Sequence, residues 1–285
     1  MRKATEGPME AWRATDAQLA SRLTDARLQL HHAAQFATAL GISYLAKEPD
    51  DSHTNLGWNS VHGALFSRSV TGSAGAVTLG LRVADLTLLV ARDEAIVATI
   101  PLHAITTASA TDLLRRALAA EGLDPARFTL ARHYDLPGHA VLSGAPYNTT
   151  HAIAFQQLAQ WFGNAAVELE RVARAVPGAS DVRLWPHHFD IAVLVTVGPG
   201  ASTGAGLAPG DSYYGEPYFY VNAHPEPQIA QLTDPLAGGG SWHTHEWIGA
   251  VLPGSRVTGD AAAQQAQVRA YLDVSLAACR KLVSR

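Results

Sequence analysis

The chain has 285 residues, 47% of them hydrophobic and 16% charged, a balance that excludes disorder and supplies a large core for one big domain or two smaller ones. A net charge of −4 with no run of Lys or Arg leaves no electrostatic footprint for nucleic acid. The single cysteine, Cys279, excludes an internal disulfide, and its helical spacing with Leu272, Ser275 and Leu276 predicts a buried, inert thiol.

Residues 1–12 lack the apolar stretch of a secretory signal. The longest clean apolar run near the centre, 191–197, is strand-length and far too short to cross a bilayer, so a cytoplasmic protein without a membrane partner is expected. Thr15-Asp16 can cap a helix that ends before Pro49, its apolar positions Leu19, Leu23, Leu30, Ala34, Ala37 and Leu40 fitting a 3.6-residue period. Strand-like stretches follow at 58–66, 77–83, 86–90 and 96–100, then a helix over 109–121 with Gly122 as its stop. Thr149-Thr150 precede a second long helix carrying Ile153, Leu158, Trp161, Phe162, Leu169 and Val172 on one face and ended by Pro177-Gly178. Strands at 182–197, 218–223 and 247–252 and a closing helix over 260–282 complete the chain.

The order of elements therefore runs twice. Ala98-Thr99-Ile100-Pro101 with Ile105-Thr106 matches Ala250-Val251-Leu252-Pro253 with Val257-Thr258 at one constant offset, and Leu56-Gly57-Trp58 echoes Leu184-Trp185. The second copy is longer, with glycine- and proline-rich segments at 198–215 and 224–240. The expected fold is α+β: two similar halves from an internal duplication, each a mostly antiparallel sheet with packed helices. Residues 1–123 form the first half, 124–150 the connection, and 151–285 the second half with the site.

Chemistry-bearing residues concentrate in that second half. Trp185-Pro186-His187-His188-Phe189-Asp190, the tyrosine run around Glu216, and Trp242-His243-Thr244-His245-Glu246 supply four histidines and several carboxylates. If a strand already includes them, His187 and His188 point apart, and His188 and Asp190 share a face with Ala192. Such a nitrogen and oxygen set suits Zn, Fe or Mn. In that reading His188, Asp190 and His243 are ligands, Glu216 is a fourth ligand or general base, and His187 orients a ligand. Two other readings stand beside it: a metal-free pocket for a small polar or acidic molecule, with Asp211, Tyr218 and Tyr220 in its lining, or a buried polar network with a structural role.

Weaker signals fall away on local grounds. Gly200-Ala201-Ser202-Thr203-Gly204 matches a nucleophile-elbow pattern, but Pro209, Gly210 and Gly215 forbid the helix that must follow. Gly204-Ala205-Gly206 lacks the third glycine and the helix of a dinucleotide fingerprint. His31-His32 sit within the first helix, where only one is expected to face the core, as packing or surface residues.

The segments around Arg183–Ala192, Gly206–Asp211, Glu216–Val221 and Trp242-His243-Thr244 resemble motifs of a bacterial family of unassigned function whose members begin with a helix containing Leu-His, here Leu30-His31. The resemblance spans most of the chain, and its specific motifs lie in residues 183–244. It implies that His187, His188, Asp190, Asp211, Glu216 and His243 belong to the shared motif. His224 and His245 are peculiar to this sequence, and Ser241 stands where relatives carry a histidine.

Overall fold

The first helix starts later than the Thr15-Asp16 cap predicts. In the computed structural model, which describes residues 11–284, the Asp16 side chain caps a turn through the Gln18 amide, and helix α1 runs Thr24–Tyr44. Most of α1 is buried on all sides, because it lies beneath a sheet and beside a second helix. The segment read for a secretory signal lies largely outside the described residues.

The first sheet contains β1 (Gly57–Asn59), β2 (Ala64–Phe66), β3 (Val70–Thr71), β4 (Ala76–Arg82), β5 (Thr87–Arg92) and β6 (Ala95–Pro101), followed by helix α2 (Thr107–Ala120). Thr106 caps α2, and Gly122 with φ of 78° stops it. Strand order is β1-β2-β4-β5-β6 with β3 beside β4, and every pairing is antiparallel.

The second half opens on α3 (Ala152–Ala175) and continues through β7 (Arg183–Trp185), β8 (Asp190–Gly198), β9 (Ala201–Ala208), β10 (Tyr218–His224), β11 (Ser241–His243) and β12 (Gly249–Pro253) to α4 (Ala261–Val283). Its antiparallel order is β11-β12-β10-β9-β8-β7. The protein is α+β with two sheet-bearing halves, as expected.

Three details depart from the expected elements. The stretches 58–66 and 182–197 are each a hairpin, not a strand. The glycine-rich segment 198–215 contains β9, a central strand, with a loop after it. Glycine suits β9 because Tyr220 lies across Gly206, where an added Cβ would meet the phenol at 2.6 Å. Finally, β11 arises from the 24 residues between β10 and β12, where the first half has only the turn Asp93-Glu94 between β5 and β6.

The sheets meet at one point. Leu56 N–H donates to the Leu184 carbonyl (3.0 Å) and Leu184 N–H donates to the Leu56 carbonyl (2.8 Å). These are the two leucines of the sequence echo. In the register of the two hairpins Leu56 corresponds to Val182 and Leu184 to Trp58, so the sheets meet edge to edge through corresponding first strands, related by a local two-fold near Gly57 and Arg183. Helices α1, α3 and α4 cover one face of the joined sheets. The core there is continuous, running from Leu65, Leu79 and Leu88 to Ile191, Leu207 and Phe219. Glu168 of α3 is fully buried, but Arg171, Arg269 and Gln265 all donate to it and tie α3 to α4. Cys279 is buried against β10, and burial pushes its thiol up to about 12. No described helix is long and apolar enough to cross a membrane.

Candidate functional site

Strand alternation sends Ile191, Val193 and Val195 of β8 into the core and Asp190, Ala192 and Leu194 to the helix-free face. On β10, Phe219 and Val221 point inward, while Tyr218, Tyr220 and Asn222 share the face of Asp190. Asp190 and Tyr220 meet there: the phenol donates to Asp190 Oδ2. Asp190 is only 8% exposed, and its Oδ1 is buried with no hydrogen-bond partner among the described residues. Burial raises the Asp190 pKa against the pull of the Tyr220 hydroxyl and nearby His188. Burial and the facing carboxyl push Tyr220 well above the ordinary phenol range.

Next to this pair, Tyr218 donates to Asp211 Oδ2 at 2.5 Å. Asp211 Oδ1 accepts from the amides of Tyr213 and Tyr214 at 2.8 and 2.9 Å, so both carboxylate oxygens are occupied. Burial, then Asp211, raises the Tyr218 pKa.

His187 and His188 do not alternate, because residues 186–189 form the loop of the β7–β8 hairpin. Phe189 takes φ of 61°, and the two imidazoles lie 4.3 Å apart, both exposed. Partial desolvation and the neighbouring His188 lower the His187 pKa. Phe189 itself turns inward and stacks on His31 at 4.8 Å. His31 and His32 are both buried, which corrects the expectation that one faces solvent. Each ring donates through Nε2–H to a carbonyl, Pro186 at 2.8 Å and Pro137 at 2.9 Å. Burial lowers His31 to about 4, so the ring stays neutral.

A groove of about 550 Å³ opens over Asp190 at the seam between the halves. Asp50, Ser52, Asn55 and Arg68 line it from the first half, and Arg183, Trp185, His187, His188, Tyr220 and Asn222 from the second. Its two cations are engaged: Arg68 donates to the Ser52 carbonyl and to Asn55, and Arg183 pairs with Asp181 at 3.2 Å.

The structure thus gathers His187, His188, Asp190 and Tyr220 at one groove, with Tyr218 and Asp211 adjoining. Two expected site residues stand elsewhere. His243, on β11, is four strands from Asp190, about 19 Å at ordinary strand spacing. Its Nε2–H donates to the His245 carbonyl, Nδ1 accepts from the Tyr214 hydroxyl, and the ring stacks on Trp247 at 4.4 Å. Glu216 is not among the residues that line the seam groove. Its oxygens accept from the Ser255 amide and hydroxyl, at 2.6 and 2.9 Å, which fixes the turn after β12. Among the described residues no three His, Cys, Asp or Glu side chains are grouped to hold a metal ion.

Sequence reading missed Arg68, Arg183 and Asn222 as groove residues. A lone arginine or asparagine carries no spacing signal, although Asn222 follows Tyr218 and Tyr220 at the same two-residue step. Comparison of the chain with known protein families, curated proteins and solved structures finds no match in any of the three.

Proposed function

We propose that this chain binds a small polar molecule in the seam groove, with Asp190 as the hydrogen-bonding centre. The observation that carries this reading is Asp190 Oδ1, an oxygen shut off from solvent and left without a partner at the wall of a groove. A buried polar atom without a partner costs about 1–3 kcal/mol, and a ligand group that bonds it recovers that cost. When Asp190 is protonated it donates to a ligand carbonyl. When ionised it accepts from a ligand N–H or O–H. Trp185 offers a flat apolar surface beside these groups. Thermal-shift screening of neutral and charged polar metabolites tests the proposal. A saturable rise in melting temperature is expected for at least one class, and its loss in the Asp190→Ala, Tyr220→Leu double variant. A wild type that responds to nothing, or a response unchanged in the double variant, rejects it.

A second reading places a divalent ion at the same point. It is favoured by the same free oxygen and by His188, close enough to bias the ionisation of Asp190. The two residues supply one nitrogen and one oxygen ligand, with water or a substrate completing the shell. Elemental analysis of tag-free protein separates the two readings. Near-stoichiometric Zn, Fe or Mn lost in both His188→Ala and Asp190→Asn supports the ion, and metal-free protein that still binds a small molecule supports the first.

A further inference from the structure

The local two-fold creates a pair of related cavities, each between the hairpin loop of one half and the long first helix of the other. One, of about 420 Å³, lies between the β1–β2 loop (60–63) and α3 residues Gln156, Gln160 and Asn164. Its counterpart, of about 410 Å³, lies between the β7–β8 loop (His187, His188, Phe189) and α1 residues Arg27, Leu28 and His31, and is completed by Pro137, Gly138 and Asp211.

The two differ in which buried atom lacks a hydrogen-bond partner, the neutral Trp58 Nε1 in the first and the cationic Arg27 Nε in the second. In the first, Asn164 binds the Arg13 backbone at both its oxygen and its nitrogen, and Gln160 accepts from Gln157. In the second, Arg27 is half-buried, and among the described residues no hydrogen bond or ion pair reaches its guanidinium. Its Nε has no solvent contact. The one carboxylate at hand, Asp211, is saturated by Tyr213, Tyr214 and Tyr218 and makes no ion pair with Arg27. Burial lowers the Arg27 pKa, and the charge of nearby Asp211 offsets this only in part. A desolvated cation without a hydrogen-bonded partner is costly, and guanidinium is suited to planar, bidentate capture of oxyanions.

We infer that the cavity between α1 and the β7–β8 loop is an oxyanion site, in which Arg27 binds the phosphate or carboxylate group of a small molecule. This site is distinct from the seam groove. The two cavities lie on either side of the His187-His188 pair, which lines both, and each arginine of the groove has at least one hydrogen bond, Arg183 to Asp181 and Arg68 to Ser52 and Asn55.

The test is thermal denaturation and calorimetric titration of the full chain with potassium phosphate and with potassium succinate, against potassium chloride at matched ionic strength. Saturable stabilisation by phosphate or succinate over chloride is expected. Arg27→Gln should weaken it at least tenfold, and Arg183→Gln in the seam groove should leave it intact. Arg27→Gln without ligand should be no less stable than wild type, because it removes a cation that lacks a partner. If that variant fails to fold, Arg27→Lys takes its place: weaker but saturable binding supports the inference. No response to either oxyanion, a response unchanged by the Arg27 substitution, or a response lost in Arg183→Gln instead overturns it. None of these results depends on Asp190, so failure here is separable from failure of the seam-groove reading.

Discussion

The two hairpins at the seam have one backbone and two chemistries. Each joins three-residue pairings through a four-residue loop, 60–63 in the first half and 186–189 in the second. The last loop residue is left-handed in both: Gly63 with φ of 56° and Phe189 with φ of 61°. The first strand residue after the loop is Ala64 in one half and Asp190 in the other. Across Gly80 and Gly206, the matching positions of the fourth strand and the ninth, stand Leu89 and Tyr220. The same geometry therefore packs an alanine and a leucine on one side and couples a carboxyl to a phenol on the other. Backbone pairing tolerates either, so the buried polar pair is a property of the second copy alone and not a requirement of the fold.

The largest expected effect comes from making the second loop resemble the first. Phe189→Gly removes a ring packed on His31 and Phe162 while relieving a left-handed conformation. Burial lost outweighs strain relieved, and a net loss of about 3 kcal/mol in urea unfolding is expected. A loss below about 1 kcal/mol would mean that the loop, and not its ring, holds the seam.

Acid should expose the same contact from the other side. His31 is held near 4 in the folded chain against 6.5 when free. Its contribution is therefore complete above 6.5 and is lost as pH falls from 6.5 towards 4, about 3 kcal/mol in all by linkage. Unfolding free energies at neutral pH and near 4 should show this drop, and His31→Gln should shrink it. An unchanged acid sensitivity in that variant would place the proton uptake elsewhere.

A smaller effect tests the polar pair itself. Asp190→Ala strands the buried Tyr220 hydroxyl and should cost about 2 kcal/mol, whereas the double variant with Tyr220→Leu, which copies the first half, should return to within about 1 kcal/mol of wild type. Additive losses would show that Asp190 and Tyr220 are not coupled. Smallest of all, Glu216→Ala should cost about 1 kcal/mol through the lost turn cap and leave ligand responses untouched. A lost response would return Glu216 to the site.

Much of this comparison was legible beforehand, because it rests on periodicity. The helical faces of α2, α3 and α4, the two-residue alternation of Asp190 with Ala192 and of Tyr218 with Tyr220, and the repeat at Ala98 and Ala250 are all local patterns. The departures have non-local causes. Strand β9 is glycine-rich because tyrosine and asparagine from β10 lie across it, so it lacks the β-branched residues that mark a strand. His243 shares a motif style with His188, but the inserted segment adds its strand outside β12 and far from Asp190. Arg27 shows nothing in sequence, since its significance comes from segments 110 or more residues away whose one carboxylate, Asp211, is already bonded to Tyr213, Tyr214 and Tyr218.

The reciprocal Leu56–Leu184 bonds have a consequence of their own. Contacts that recur when the two partners are exchanged are the signature of an isologous interface, the geometry of a symmetric homodimer. In a true homodimer of such halves, any residue placed at one hairpin appears at both, and two buried carboxyls and two unpartnered arginines must be carried for every one that is useful. A single chain with two halves of different sequence is free of that constraint. One half keeps alanine and leucine at these positions, while the other is free to hold a carboxyl with one oxygen unpartnered.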